Sequence, residues 1–174
     1  VNDAFALLHF PRRPWLAEDD VRAAFQRLAA TAHPDRAGTD ADFSELTRAY
    51  ETLREPAARL RHLLALEQPE LARSSGVPAD LAEWFPRVAA QVQILKQAGT
   101  SPLAKALARG ETGEAERVLR DVNALREITL ARVRKIDAQW PAADFAELAG
   151  LLARLSFLDK WTAQLREGLL ALKL

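Results

Sequence analysis

Three adjacent residues, His33-Pro34-Asp35, are of types that do chemistry. An imidazole and a carboxylate on either side of a stiff proline could act as a general base and its orienting group, as two ligands of a metal, or as a rigid feature for another protein to grip. Acid–base work requires the pair to touch through space, with a nucleophile beside it. The chain has no Cys, the nearby Thr39 and Ser44 are accounted for as helix-start residues, and no glycine-rich phosphate loop occurs. Zinc wants three or four convergent ligands, whereas the other histidines, His9 and His62, fall on predicted helices far along the chain. No catalytic residue and no metal site are therefore expected. Proline and aspartate also suit a helix stop followed by a turn, but the surroundings point further. Arg22, Gln26 and Arg27 lie on the side of the preceding helix away from its apolar face, and Arg36 follows directly. A basic strip leading to a stiff tip suits docking onto an acidic partner, where local charge steers and orients.

The elements that must hold this tip are helices, since apolar residues recur throughout at helical spacing and no strand-like alternation appears. DAFALLHF forms a first short helix, ended by Pro11. A second runs from about Ala17 to Ala32, with Val21, Phe25, Leu28 and Ala32 on one face and Glu18, Asp19 and Asp20 at the positive end of its dipole. It stops near Ala32 because His33 precedes a proline. The third opens on a capping pattern, Thr39-Asp40-Ala41-Asp42, and buries Phe43, Leu46, Tyr50 and Leu53. The polar connection makes helices two and three antiparallel, with His-Pro-Asp at the tip. Pro56 starts a fourth helix carrying Leu60, Leu63 and Leu64.

The stretch EQPELARSSGVP then loses the periodicity, which divides the chain into a domain at 1–68, a linker at 69–77 and a second domain at 78–174. In the second domain Asp80 to Gln97 reads as one helix, kinked or restarted at Pro86. Ser101-Pro102 opens a short helix to Arg109, with Gly110 as its stop. A long helix from Glu114 to about Gln139 faces Val118, Val122, Leu125, Thr129, Val133 and Ile136 inward. The last, Asp144 to about Leu170, carries Leu148, Leu151, Leu155, Leu158, Leu165 and Leu169 on a seam. The fold class is all-α, a helical hairpin followed by a helical bundle.

Composition narrows the function classes. The chain of 174 residues has 24 basic and 24 acidic side chains and is 49% hydrophobic, which is globular and leaves no basic excess for nucleic acid or an anionic membrane. Without Cys there are no disulfides and no thiolate chemistry. No apolar run reaches membrane-spanning length, and VNDAFALLHF lacks the basic region and cleavage site of a signal peptide. A cytoplasmic protein is expected. Nothing in the pattern excludes self-association.

The run VRAAFQRLAATAHPDR, followed by FSELTRAYETLREPAAR, resembles the J domain of DnaJ-type co-chaperones: an amphipathic helix, His-Pro-Asp with a basic residue, then a helix with Ala49, Tyr50 and Leu53 in A-Y-x-x-L spacing. The resemblance implies docking onto a DnaK/HscA-type chaperone through His33, Pro34, Asp35, Arg22, Gln26, Arg27 and Arg36, with the His-Pro-Asp triplet triggering ATP hydrolysis by that partner. The chain departs from the pattern at Ala32, a position usually aromatic, and at Ala23, Gln26 and Thr31, positions often basic.

The segment LARLSFLDKWTAQLREGLLAL, with DAFALLHFPRRPWL and EPAARLRHLLALE, is similar to the HscB co-chaperones. That resemblance implies a second domain that presents an IscU-like scaffold of iron–sulfur cluster assembly to the chaperone, with no cofactor held by the co-chaperone itself. Phe157 lies about 120° from the centre of the leucine seam at ~100° per residue, and Trp161 is one turn further along the same flank. Trp161 suits a second packing face. Phe157 is the F of F-L-D-K, and the resemblance places it in the scaffold-binding patch. The remainder of that patch falls near Leu81 and Phe85, read as one face of a helix, with Trp84 beside them; Leu81 suits the core equally well. Where the family carries glutamates, this chain has Pro86 and Arg87. The same architecture with a different client in general protein folding is the second reading. A purely structural helical protein is the third.

Overall fold

The computed structural model describes residues 2–32, 40–73, 76–98, 101–110, 112–141 and 144–172. Among these the regular structure is helical, without strands: α1 (Ala4–Leu7), α2 (Glu18–Ala32), α3 (Asp40–Arg54), α4 (Pro56–Glu67), α5 (Pro69–Ala72), a 3-10 turn (Ala79–Leu81), α6 (Trp84–Gln97), α7 (Pro102–Gly110), α8 (Thr112–Asp137) and α9 (Phe145–Ala171). No described helix is long and apolar enough to cross a membrane. The chain forms two compact units, Val1–Ser74 with Ala131–Leu152, and Ser75–Leu130 with Ala153–Leu174. They do not follow chain order, because the end of α8 and the start of α9 group with the N-terminal residues.

In the first unit α2 and α3 form the antiparallel hairpin, with the ring of Phe25 stacked on Tyr50 at 4.5 Å between centroids. Val21, Leu46, Ala49, Leu53 and Leu63 close the core beneath, together with Phe5 of α1 and Leu8 just after it. The His-Pro-Asp tip and the Thr39 capping position lie outside the described residues. The end of α1 corrects one expectation. The helix stops at Leu7, ahead of Pro11, because His9 takes the left-handed conformation with φ 60°. The Phe10 N–H then reaches the Phe5 carbonyl at 2.8 Å and the His9 N–H that of Ala6 at 3.2 Å, the pattern that satisfies orphan helix-end carbonyls.

The other end of α1 is fastened from outside. Asp3 Oδ1 accepts the N–H groups of Phe5 and Ala6, and His62 Nε2 accepts that of Ala4 at 3.0 Å. Only a neutral imidazole can accept there. Its ring is nearly buried and stacked on Phe5. Desolvation lowers its pKa below the ordinary histidine range; Asp3 opposes this and Arg12 adds to it.

An extended strap between α1 and α2 is held on several sides within this unit. Arg13 Nε donates to Asp137 Oδ1 at 3.0 Å, with a second Arg13 nitrogen on the other carboxylate oxygen. The Trp15 backbone N–H donates to the same Asp137 at 3.1 Å. The Trp15 ring meets two guanidiniums, Arg134 at 4.2 Å and Arg59 at 5.4 Å.

In the second unit Leu81, Val88, Val92, Leu95, Val118, Val122, Leu158, Leu165 and Leu169 share one core. The predicted linker is helical in part, since α5 occupies Pro69–Ala72, residues that group with the first unit. In the second unit the helix expected over Asp80 to Gln97 takes the restart of the two alternatives: α6 begins at Trp84, with Pro86 in its first turn. A missing N–H costs nothing there, because first-turn donors have no intrahelical partner. Pro86 therefore belongs to a helix start and does not kink an interior. Ser101 caps α7 as expected, its Oγ accepting the Ala104 N–H at 3.1 Å. The buried Thr129 is satisfied: its hydroxyl donates to the Leu125 carbonyl and accepts from Arg154 Nε.

Two glycines of α9 give a matched test. A Cβ at Gly168 would meet Leu95 Cβ at 2.7 Å, whereas one at Gly150 would meet nothing within 4 Å. Gly168→Ala should lower the melting temperature, because overpacking of ~1–3 kcal/mol outweighs a helix-propensity gain of at most ~1 kcal/mol. Gly150→Ala should raise it by about 2–3 °C. Thermal melts of both variants check the pair.

His62 gives a pH signature. Its folded pKa lies below the unfolded value, so its contribution is fully present above about pH 6.5 and is lost as pH falls through the folded pKa. Urea titrations between pH 7 and pH 5 should show stability falling, and His62→Gln should flatten that part of the profile.

Candidate functional site

On α2 the exposed polar face is narrower in positive charge than its composition implies. Arg22 donates to Glu18 at 2.7 Å and pairs with Asp19 at 3.3 Å, so acids of the first turn hold its guanidinium; the Glu18 hydrogen bond, followed by one with Tyr50, raises its pKa. Gln26 and Arg27 are exposed. His33, Pro34, Asp35 and Arg36 lie outside the described residues. Among the described residues no group of His, Cys, Asp and Glu could hold a metal.

The second candidate surface is aromatic. The start of α6 sets Phe85 edge-on to Phe157 at 5.2 Å and to Trp161 at 4.9 Å, and the two α9 rings are 6.1 Å apart. Edge contacts of this kind add ~0.5–1.5 kcal/mol each beyond area burial. Trp84, Phe85 and Phe157 are half-buried, whereas Leu81 is 0% and Trp161 5% exposed. Leu81 and Trp161 are thus core residues beneath the cluster and not part of its surface. Leu81 and Phe85 keep a shared phase, since Ala82 and Glu83 between the 3-10 turn and α6 both have right-handed helical dihedrals, and the two differ in depth. Arg154 fastens that turn by pairing with Asp80, and burial lowers the Arg154 pKa.

Residues 3–62 match the family model of the DnaJ domain. The chaperone protein DnaJ of Rippkaea orientalis (strain PCC 8801 / RF-1) is 43% identical over 49 residues, a stretch amounting to 26% of this chain and only 13% of that protein. The solved structure of chaperone HscB from Vibrio cholerae superimposes with a TM-score of 0.64 at 16% identity, covering 95% of this chain and 96% of that one. The chain carries a J domain on an HscB-like fold.

The matched residues span α1 to α3 and the first half of α4, and the aromatic cluster lies on α6 and α9 beyond them. The structure brings Phe85, Trp84 and Phe157 of the predicted patch together over Leu81 and Trp161. Sequence reasoning missed a role for Arg87 beyond noting its departure from the family. Its guanidinium lies 4.7 Å from the Trp84 ring centroid and pairs with Asp121 at 3.5 Å. The signal was present, since Trp84 and Arg87 are helical neighbours three apart.

The burial difference separates core from surface. Leu81→Ala should cost ~2–5 kcal/mol, as for a buried leucine, and lower the melting temperature by roughly 5–15 °C. Phe157→Ala should cost clearly less than the ~3–5 kcal/mol of a fully buried phenylalanine. Parallel melts of the two variants decide this; a larger loss for Phe157→Ala would make it a core residue.

Proposed function

We propose that this protein is a J-domain co-chaperone with two working surfaces: His33-Pro34-Asp35 with Arg22, Gln26, Arg27 and Arg36, acting on a DnaK/HscA-type chaperone, and Phe157 with Phe85 and Trp84, holding a client. The J domain and the HscB-like fold support a stimulator of a DnaK-family ATPase. The observation that carries the second half is the half-buried cluster of Phe85 and Phe157, in a unit distinct from the J-domain hairpin. Exposed aromatic surface costs hydration free energy unless something covers it, and buried aromatic anchors tend to carry interfaces.

The client in this reading is an IscU-like scaffold, which the co-chaperone delivers for iron–sulfur cluster assembly. The functional division is 1–68 for the chaperone and 78–174 for the client, joined at 69–77, in the cytoplasm. The protein does no chemistry itself: ATP hydrolysis belongs to the partner, and the co-chaperone contributes by binding the chaperone while holding the client. A different client on the same architecture is favoured by one specific observation, the Pro86-Arg87 pair at the rim of the cluster.

The test is a steady-state ATPase assay with the HscA-type chaperone and the scaffold from the same organism. His33→Gln should abolish stimulation without unfolding the protein. Phe157→Ala should keep the basal stimulation and lose the additional part that depends on scaffold, with an affinity loss of ~1–2 kcal/mol or more. Full stimulation by a folded His33→Gln protein overturns the chaperone half. Unchanged scaffold dependence in Phe157→Ala overturns the client half.

A further inference from the structure

We infer that Arg87 selects the client: the segment that docks on the Phe85–Phe157 cluster carries a carboxylate beside its apolar anchor, and that carboxylate takes Arg87 from Asp121. The inference rests on the reading of this cluster as the client surface and names the chemistry of what binds there.

Arg87 stands at the rim of the cluster, its guanidinium over the Trp84 ring. Stacking on an indole orients the flat guanidinium and leaves its edge N–H groups available. The side chain is 48% exposed, and its acidic neighbours hold it loosely: Asp121 at 3.5 Å and Glu114 at 4.0 Å. Charge-assisted hydrogen bonds close to about 2.7–2.9 Å when fully made. Glu114 makes its close contact elsewhere, with Arg117 at 2.9 Å. Asp121 is therefore the nearer of the two restraints on Arg87, and it is itself half-exposed.

A docking apolar segment would exclude water from this edge, where the loosely held Arg87–Asp121 pair would lose hydration without gaining close hydrogen bonds. A carboxylate on the incoming segment repairs this by approaching Arg87 at full contact. An arginine or lysine at the same place could pair with Asp121 or Glu114 only by displacing Arg87 from them and from Trp84, whereas a carboxylate pairs with Arg87 where it stands. Specificity is the difference between two such affinities.

The experiment is isothermal titration of the full chain with the metal-free IscU-like scaffold of the same organism, at low and physiological salt. Wild-type binding should weaken with salt. Arg87→Glu should weaken binding about tenfold or more and remove most of the salt dependence. Arg87→Lys, which keeps the charge without the flat stack, should fall between the two. Asp121→Asn should tighten binding several-fold by releasing Arg87, an effect that a merely structural role for Arg87 would not produce. Should Arg87→Glu fail to fold, Arg87→Gln serves the same comparison. Unchanged affinity in the Arg87 variants, or weaker binding by Asp121→Asn, with binding still lost in Phe157→Ala, overturns the role of Arg87 and leaves the client surface standing. No binding by the wild-type protein overturns the scaffold reading, and this inference with it.

Discussion

The first unit is organised around a buried cation. Arg59 on α4 is 1% exposed, and taking a guanidinium out of water is costly unless its donors are used. They are used on backbone: Nε donates to the Pro14 carbonyl at 3.0 Å and Nη1 to the Leu53 carbonyl at 2.7 Å. Leu53 lies in the last turn of α3, where carbonyls have no intrahelical partner, so Arg59 meets the needs of the helix end and of the strap at once. Burial brings its pKa down to about 10, against the attraction of Asp137 and Glu55, which leaves it charged at neutral pH. Removing it would strand two carbonyls and release both the strap and the corner between α3 and α4. The α2–α3 hairpin joins α4 through that corner.

Under the proposed function the two surfaces ask different things of the fold. The chaperone-facing one needs a stiff hairpin and a thin distribution of positive charge, since Arg22 is already engaged by Glu18 and Asp19. That leaves Arg27 and the residues of the tip to carry orientation, and an interaction of this sort is steered more than it is tightened. The client-facing surface needs rings that are held but not hidden. Phe85 meets this by resting its faces and edges on Phe157 and Trp161 while remaining half-buried, so the cluster is pre-ordered and loses little side-chain freedom on docking.

Helix existence was legible from the sequence because a 3.6-residue period survives noise, and the inward faces of α4, α8 and α9 emerged largely as their leucines and valines predicted. Boundaries were less legible where backbone detail decided them. Nothing in the composition of α1 announces that His9 will adopt a left-handed conformation, and a proline looks the same in a sequence whether it interrupts a helix or, like Pro86, sits in its first turn. The patch was legible as a set of residues but not as a depth profile. Trp161 lies off the leucine seam and is buried, as a second packing face requires: the buried stripe of α9 is wider than one seam and takes in Trp161 and Thr162. Leu81 shares its phase with Phe85, so the sequence leaves both a core and a surface place open to it; its 0% exposure is a matter of depth that periodicity does not carry. The His-Pro-Asp triplet stood out from the sequence alone, and nothing in the described residues adds to it.

The notch at Gly168 sets the register of α9. Leu95 of α6 seats where α9 has no side chain, and one helical turn in either direction would bring Gln164 or Leu172 to the same point, a slide of about 5.4 Å that replaces an indentation with a bulge. The helix pair therefore has one permitted alignment along its axis, much as a key with one cut fits one pin. Phe157 and Trp161 ride on the same rigid rod, so their height opposite Phe85 is determined at the far end of the helix, away from any ring. A glycine remote from every ring thus helps set the height at which Phe157 and Trp161 meet Phe85.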